Sequence, residues 1–311
     1  MARILVDRRS FIAMAALAEA PAVLTAPSVA ALPRNLPLWP GEPPGGRGLS
    51  GPGPGPERMD GRGALSHVSR PRLVVHRPAE PSRRTDTAVI VVAGGGYGRI
   101  EAGRESVPAC RWLQARGITA FELIYRLPGE GWSVTAPFAD GQRAMRLVRA
   151  GGFERIGMLG FSAGAHLAGM TAVRPDAGYQ GPVDAADAQS ARPDFVGLVY
   201  PVLSMMPPVD GTRARHAILG RHPGRAEAEA FSVERLVGAD TPPVFLAQSA
   251  DDPVAPIDNS LMMYNALGIA GVPAALHVFA TGGHGWGMGR AGGEPADWSA
   301  LFADWMDGTT G

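Results

Sequence analysis

The sequence predicts one doubly wound α/β domain, and three observations support this fold class. The chain has 311 residues, of which 45% are hydrophobic, and this is enough for one large core. Short apolar runs without polar alternation, such as residues 88–93, are typical of strands covered on both faces of a parallel sheet. Stretches with helical periodicity alternate with these runs, which predicts helices on both faces of a single sheet.

The composition excludes several classes of function. The formal net charge is +0 and the pI is about 7.1, so nothing predicts a nucleic-acid partner or an anionic-membrane surface. All 29 basic residues are arginines, which excludes a lysine Schiff base, an S-x-x-K serine enzyme and a Walker A loop. The single cysteine, Cys110, excludes an internal disulfide and a C-x-x-C site. The histidines lack the H-x-x-x-H spacing of a zinc site, so no metal is predicted.

The first thirty residues predict export. Arg8 and Arg9 precede an Ala-rich apolar stretch at 12–24, and the small residues Ser28 and Ala30 offer a cleavage site. This pattern resembles a twin-arginine signal peptide, so we expect residues 1–30 to be removed and the protein to be periplasmic or secreted. The alternative is a frayed N-terminal helix without a targeting role. The stretch is too short to span a bilayer, which takes about 20 apolar residues.

Residues 31–70 form a Pro/Gly-rich segment that precedes the main domain. Its tract at 40–56 cannot hold a helix or a central strand, because proline lacks a backbone donor and fixes φ. We therefore expect an irregular segment here and place the catalytic domain at residues 71–311.

Strands and helices alternate along that domain. The predicted strands are 73–76, 88–93, 118–125, 156–160, 195–200, 244–248 and 275–279. The predicted helices are 105–116, 138–150, 162–172, 259–270 and 295–306. Residues 207–239 hold several arginines and an Ala/Glu-rich run, and we expect them to form a small cap over the cleft.

The first motif with catalytic chemistry is Gly160-Phe161-Ser162-Ala163-Gly164, between a predicted strand and a predicted helix. This is the context of a G-x-S-x-G nucleophile elbow, whose sharp turn tolerates only small flanking side chains. Ser162 is therefore the candidate nucleophile. The helix start, with the N–H of Ala163, would face a developing oxyanion. The alternative is a Gly/Ala-rich turn with an incidental serine.

The second motif is the glycine-rich loop 94–98 (GGGYG), directly after a predicted strand. A dinucleotide loop is disfavoured because Arg99 occupies the third glycine position of G-x-G-x-x-G. The loop is typical of the oxyanion loop of lipases and esterases, with Gly95 and Gly96 as backbone donors. Tyr97 follows these glycines and is a candidate for substrate contact. A plain glycine-rich turn is the alternative.

The third motif is an acid and a histidine that follow later strands. The chain order Ser162, Asp251, His284 matches the serine, acid and histidine order of this kind of fold. His284 would accept the serine proton, and the acid would orient the imidazole. The D-x-x-V-x-P frame favours Asp251 as the acid, and the adjacent Asp252 remains the alternative.

Nine short segments in order resemble one known family. They are 35–40, 94–97, 117–121, 125–128, 160–168, 192–195, 200–202, 250–252 and 283–285. The set resembles the α/β-hydrolase family of acetylxylan-esterase-like and feruloyl-esterase-like proteins, many of them exported by bacteria. The resemblance implies an eight-stranded, mostly parallel sheet and hydrolysis of short acyl esters, such as the acetyl esters of xylan. It implies a small acyl ester or acylated carbohydrate as substrate, and no cofactor.

Other polar and sulfur-bearing residues have structural interpretations. We expect His166 to pack within the nucleophile helix and Cys110 to lie in the core. Glu105 and Asp140 open predicted helices, so helix capping is expected for both. Met205 either lines an acyl pocket or fills a loop.

Two other classes of function remain open at this point. An amidase, formamidase or serine peptidase would use the same triad with a different pocket. A non-catalytic binding protein would be expected to lose Ser162 or His284, and both are present. The paired carboxylates of a glycosidase are not evident. The oligomeric state has no signature in the sequence.

Overall fold

The computed structural model describes residues 32–45, 55–79, 86–289 and 294–309, and the predicted signal peptide lies outside these ranges. The strands are β1 (Asn35–Pro37), β2 (Arg58–Met59), β3 (Leu65–Ser66), β4 (Arg72–His76), β5 (Thr87–Val92), β6 (Thr119–Ile124), β7 (Arg155–Phe161), β8 (Phe195–Val199), β9 (Val244–Ser249) and β10 (Ala274–Phe279). The helices are α1 (Ser106–Ala115), α2 (Ala136–Ala150), α3 (Ala163–Val173), α4 (Arg213–Leu219), α5 (Arg225–Ala230), α6 (Asp258–Ile269) and α7 (Trp298–Gly308).

Eight of these strands form one sheet in the order β1-β4-β6-β5-β7-β8-β9-β10. The neighbours from β6 to β10 run parallel, whereas β1 and β4 are antiparallel to their neighbours. Every residue of β5, β6, β8 and β9 is buried, as continuous apolar runs predict. The predicted α/β-hydrolase fold, a mostly parallel eight-stranded sheet, is confirmed.

The sheet order places two functional loops side by side. The chain leaves β5 for β6 on one side and returns to β7 on the other, so the strand order reverses at β5. Such a switch point opens a crevice at the carboxyl ends of the strands. Val92, the last residue of β5, pairs with Gly160 of β7. The loops that follow these two strands therefore begin next to each other.

Helices cover both faces of the sheet. On one face, Met145, Leu167 and Met263 of α2, α3 and α6 belong to a large apolar cluster. On the other face, Cys110 of α1 and Phe302 of α7 pack in a second cluster. Cys110 is thus a core residue, as expected. The seven predicted strands differ from the observed ones by no more than one residue at either end.

The Pro/Gly-rich segment is not irregular throughout. Residues 35–37 form the edge strand β1, which pairs with β4, and β2 and β3 form a small antiparallel pair. Proline is tolerated on an edge strand, which explains why Pro37 does not prevent the pairing. Leu38 and Val68, from the same segment, are fully buried. The segment therefore adds a sheet edge and a small part of the core.

Asp140 corrects a second expectation. It lies inside α2 rather than at its start, and it is completely buried. Its carboxylate pairs with the buried Arg126 guanidinium at 2.7 Å and accepts the indole N–H of Trp39 at 2.8 Å. A buried carboxylate needs such partners, and the partners come from distant parts of the chain. Asp140 therefore fixes α2 to its neighbours and does not cap the helix.

Candidate active site

Ser162 is the single residue between β7 and α3, and its backbone is strained. Its φ of 52° and ψ of −118° fall in a region that side chains other than glycine rarely occupy. The turn leaves no room for larger side chains at the positions that flank Ser162. A Cβ on Gly160 would lie 2.5 Å from the Cα of Ala165, and one on Gly164 would lie 2.2 Å from the carbonyl oxygen of Val92. The motif needs small residues at these positions because a larger side chain would collide with α3 or with the end of β5.

His284 reaches the serine from the loop that follows β10. Its Nε2 lies 2.8 Å from Ser162 Oγ, and its ring packs edge-on against Tyr200, with ring centres 5.0 Å apart. Its Nδ1 faces a carboxylate, which only accepts hydrogen bonds. Nδ1 therefore carries the proton, and Nε2 is free to accept from the serine hydroxyl.

The carboxylate beside His284 belongs to Asp252, not to the favoured Asp251. Asp252 Oδ2 lies 2.7 Å from His284 Nδ1, and the Asp252 side chain is buried. Asp251 is exposed and accepts the backbone N–H of Gly283 at 2.8 Å. The structure thus replaces the favoured acid with the alternative that the sequence left open.

The turn after β9 explains why Asp252 faces the histidine. Asp252 Oδ1 accepts the backbone N–H groups of Val254 and Ala255 at 2.8 and 2.9 Å, a local turn that aspartate favours. The Gln248 side chain donates to Oδ2 at 3.1 Å. These donors hold the carboxylate inward. The D-x-x-V-x-P frame describes the spacing of residues along the chain. It does not predict which of two adjacent aspartate side chains points into the fold.

The glycine-rich loop lies against the nucleophile. A Cβ on Gly94 would lie 2.7 Å from the Cβ of Ser162, so only glycine allows this approach. Gly95 and Gly96 line a cavity of about 330 Å³ together with Ser162 and His284. Ala163 follows the serine at the start of α3. The predicted oxyanion donors thus lie on the loop after β5 and at the first residue of α3, which follow neighbouring strands.

Glu105 is a site residue that sequence reasoning missed. It makes no capping hydrogen bond at α1. Its carboxylate instead accepts the backbone N–H of Gly94 at 2.5 Å and the hydroxyl of Tyr200 at 2.9 Å. Burial raises the pKa of Glu105 to about 7 despite these two hydrogen bonds. The sequence did place a glutamate shortly after the glycine-rich loop, which could have indicated a role for Glu105 in the site. Its position before a predicted helix favoured the capping interpretation instead.

Glu105 connects the oxyanion loop to the histidine loop. Tyr200 donates its hydroxyl proton to Glu105 and accepts the backbone N–H of Gly287 at 3.1 Å. Gly287 lies three residues after His284 in the same loop. The carboxylate and the tyrosine thus form a buried link between the two loops.

Two residues that were candidates for substrate contact do not line the cavity. Tyr97 is fully buried, and its hydroxyl hydrogen-bonds to Nδ1 of His166 at 2.9 Å. Met205 is 1% exposed and belongs to the apolar core. The prediction of substrate contact is wrong for Tyr97, and of the two alternatives for Met205 the acyl pocket is wrong, because both side chains pack in the interior and not along the cavity.

His166 is a structural residue, as expected, but it connects more than its own helix. Its Nε2 hydrogen-bonds to the carbonyl oxygen of Phe231, which only accepts, so Nε2 carries the proton. Nδ1 therefore accepts from the Tyr97 hydroxyl. Burial lowers the pKa of His166 to about 4, so the ring is neutral at pH 7. It joins α3 to the oxyanion loop and to residues 207–239.

Further parts of the cavity wall come from residues 207–239 and from the turn before α1. Thr212, Arg213 and Ala214 belong to the first group, and Arg99 and Arg104 belong to the second. Within the described ranges, no group of three or more His, Cys, Asp or Glu side chains is arranged to hold a metal ion. The described helices also include none that is long and apolar enough to cross a membrane.

Residues 73–267 match the model of the BD-FAE family, which covers more than half of the chain. The chain is 30% identical to the acetylxylan esterase of Xylanibacter ruminicola over 237 residues, which are 72% of this chain and 45% of that protein. It is 34% identical over 206 residues to endo-1,4-beta-xylanase B of Butyrivibrio fibrisolvens, covering 63% of this chain and 32% of that protein. The chain thus spans less than half the length of these curated relatives.

Solved structures share the architecture. The acetyl ester-xyloside bifunctional hydrolase of Caldicellulosiruptor lactoaceticus aligns with a TM-score of 0.75 and 33% identity, over 89% of this chain and 97% of that chain. Esterase 2 of Thermogutta terrifontis aligns with a TM-score of 0.63 and 24% identity, over 86% of this chain and 95% of that chain. The second likeness supports the fold alone.

Proposed function

This chain belongs to the BD-FAE family and is an acetylxylan-esterase-like α/β-hydrolase, and we propose that it is a serine esterase with Ser162, His284 and Asp252 as its triad. One observation carries the proposal. A continuous chain of hydrogen bonds, 2.8 Å and then 2.7 Å long, runs from Ser162 Oγ through the imidazole to a buried carboxylate. It begins at a strained elbow that faces an open cavity.

Acylation uses this chain of hydrogen bonds directly. Ser162 Oγ attacks the carbonyl carbon of the ester while His284 Nε2 takes the hydroxyl proton. The Asp252 carboxylate keeps the proton of Nδ1 in place and stabilises the imidazolium that forms. Because Asp252 is buried and held by two backbone N–H groups, it does not reorganise during the step.

The negative charge on the carbonyl oxygen is stabilised by backbone donors. We assign this role to the N–H groups of Gly95, Gly96 and Ala163, and such a donor is worth about 10²–10³ in rate. When the tetrahedral intermediate collapses, the ester C–O bond breaks and His284 gives its proton to the leaving alcohol. Water then attacks the acyl-enzyme, with His284 as base, and the carboxylic acid and free Ser162 are released.

The proposed substrates are short acyl esters, including acetyl esters on a polysaccharide such as xylan. The named activities of the acetylxylan esterase and of the acetyl ester-xyloside bifunctional hydrolase support this class. A cavity of about 330 Å³ suits a small acyl group together with part of a sugar. The cavity is lined by the oxyanion loop, by the histidine loop and by part of residues 207–239.

Hydrolysis of two esters tests the proposal. We expect release of 4-nitrophenol from 4-nitrophenyl acetate and of acetate from acetylated xylan, and we expect both to fall to background in Ser162→Ala. Ser190→Ala, which changes an exposed serine outside the cavity, is the matched control and should retain full activity. Substantial turnover by folded Ser162→Ala would refute the assignment of the nucleophile.

A further inference from the structure

The cavity at the nucleophile is more strongly charged than ester hydrolysis requires. Its wall includes three arginines, Arg99, Arg104 and Arg213, and two glutamates, Glu101 and Glu105. A neutral acyl group or a neutral sugar is held by hydrogen-bond donors, acceptors and apolar surface, so it does not need a guanidinium. The arginines therefore point to a further property of the substrate.

The two glutamates do not neutralise all three arginines. Arg99 forms a salt bridge with Glu101. Glu105 is engaged with a backbone N–H and a tyrosine hydroxyl, and burial raises its pKa to about 7, which reduces its negative charge at neutral pH. Arg104 and Arg213 form no salt bridge with any residue that the structure describes. Two positive charges thus remain available at the cavity.

Arg213 lies directly across the oxyanion loop. A Cβ built on Gly96 would lie 2.8 Å from Cδ of Arg213 and 3.0 Å from its Cγ, so the aliphatic stem covers the loop. Arg213 is one of the residues that line the cavity, and its guanidinium begins one bond beyond Cδ. Its charge is therefore within one side-chain length of the glycines proposed to hold the oxyanion.

Arg104 approaches from a different element. It belongs to the turn before α1, and its carbonyl oxygen would lie 2.5 Å from a Cβ on Gly287 in the histidine loop. Arg104 is exposed and is one of the residues that line the cavity. The two arginines thus come from different elements, Arg213 from residues 207–239 and Arg104 from the turn that contacts the histidine loop, and both line the same cavity.

We propose that Arg104 and Arg213 bind a carboxylate of the substrate, so the preferred ester carries a negative charge close to its reacting acyl group. The inference deepens the proposed function and rests on it. A guanidinium stays charged and presents a planar pair of donors that matches a carboxylate. The carboxylate has two chemical sources, a uronic acid in an acylated oligosaccharide and the free acid of a dicarboxylic acyl group.

Two matched pairs of esters separate these sources. Acetylated xylooligosaccharides with and without a uronic acid branch test the alcohol side. The glutarate monoester and the valerate ester of 4-nitrophenol, with acyl chains of equal carbon number, test the acyl side. We expect the charged member of one pair to have a kcat/KM about tenfold higher than its neutral partner, since a hydrogen bond to a charged group is worth at least that factor. The preference should shrink as ionic strength rises.

The preference should depend on the two arginines. Arg104→Gln and Arg213→Gln should each reduce the charged-to-neutral ratio of kcat/KM, and the double variant should bring it to about one. Arg111→Gln, which removes an exposed arginine outside the cavity wall, is the control and should leave the ratio unchanged. A ratio near one for both pairs in the wild-type protein would overturn the inference, as would a preference that survives in the double variant.

Direct binding keeps this inference separate from the proposed function. Calorimetry with Ser162→Ala measures the affinity for the uronic-acid-branched oligosaccharide and for glutarate against their neutral counterparts, without any turnover. Selective binding of one charged ligand that disappears in the double arginine variant would support the carboxylate site even if no ester were hydrolysed. Hydrolysis of 4-nitrophenyl acetate without any charge selectivity would support the esterase and refute the carboxylate site.

Discussion

At the scale of single residues, the assignment of the acid depends on which of two adjacent aspartates faces the imidazole. Asp252 is buried beside His284, whereas Asp251 is exposed and accepts one backbone N–H in the histidine loop. In an aspartate-to-asparagine change the shape is kept, but the amide does not stabilise the imidazolium and favours the wrong tautomer. The two substitutions are therefore a matched pair.

We expect Asp252→Asn to lower kcat on 4-nitrophenyl acetate by up to about 10⁴, as triad precedent indicates. Asp251→Asn should lower it by less than about tenfold, because the asparagine carbonyl can still accept the N–H of Gly283. Steady-state kinetics on both variants, with circular dichroism to verify folding, gives the ranking. The opposite ranking would assign the acid to Asp251.

Glu105 gives a prediction about pH, because its pKa is raised to about 7 by burial. The native state binds this proton more tightly than the unfolded state does. The protonated carboxyl therefore adds to the free energy of unfolding below about pH 4.5, and this contribution is lost as the pH rises through 7. The loss amounts to about 3 kcal/mol at most. We expect Glu105→Gln to lack this loss, so its free energy of unfolding should rise relative to the wild type between pH 5 and pH 8.

Urea denaturation at the two pH values measures this difference. Glu227→Gln, which changes an exposed glutamate, is the control and should follow the wild-type pH dependence. If Glu105→Gln also followed the wild type, the carboxylate would not titrate in this range and the raised pKa would be wrong.

At the scale of elements, the nucleophile elbow is built on contact between α3 and the end of β5. Gly164 touches the carbonyl oxygen of Val92 so closely that a methyl group has no space. Gly268, near the end of α6, has open space around its Cα and lies on an exposed helix surface. The same substitution therefore has opposite consequences in the two helices.

We expect Gly164→Ala to destabilise the protein by about 3 kcal/mol or more, because α3 must move away from β5. Gly268→Ala should stabilise it by about 0.5–1 kcal/mol, because alanine has the higher helix propensity. Thermal and urea unfolding compare the two. A Gly164→Ala variant as stable as the wild type would contradict the packing of the elbow.

Patterns that depend on local sequence are the ones that predicted the structure well. Strand bounds follow from buried apolar runs, and the positions of Ser162 and His284 follow from short motifs next to strand ends. Tyr97 and Glu105 were misassigned because their partners, His166 and Tyr200, lie far away in the chain. A local sequence pattern does not predict such contacts, because they depend on how separate loops pack together in the folded domain.

At the scale of the whole molecule, the site exists only when the complete sheet has formed. The nucleophile follows β7, the acid follows β9 and the histidine follows β10, while the oxyanion loop follows β5. The buried link through Glu105 and Tyr200 then joins the early and late parts of the chain.

Export through the twin-arginine route remains a proposal from the sequence. We expect replacement of Arg8 and Arg9 by lysine to retain the protein in the cytoplasm, because recognition of this signal requires the arginine pair. Arg3→Lys is the control and should be exported like the wild type. Fractionation of a bacterial host that has this export route, followed by immunoblotting, measures the distribution. Unchanged export of the double lysine variant would contradict the proposal.

The most direct test of the central claim is to identify the residue that reacts with a fluorophosphonate, a reagent that modifies activated serines. Peptide mass spectrometry of the labelled protein should find one adduct, on Ser162, and labelling should abolish ester hydrolysis in proportion to its extent. Ser162→Ala should remain unlabelled. An adduct on a different serine, or full ester hydrolysis by protein labelled at Ser162, would contradict the assignment of Ser162 as the nucleophile.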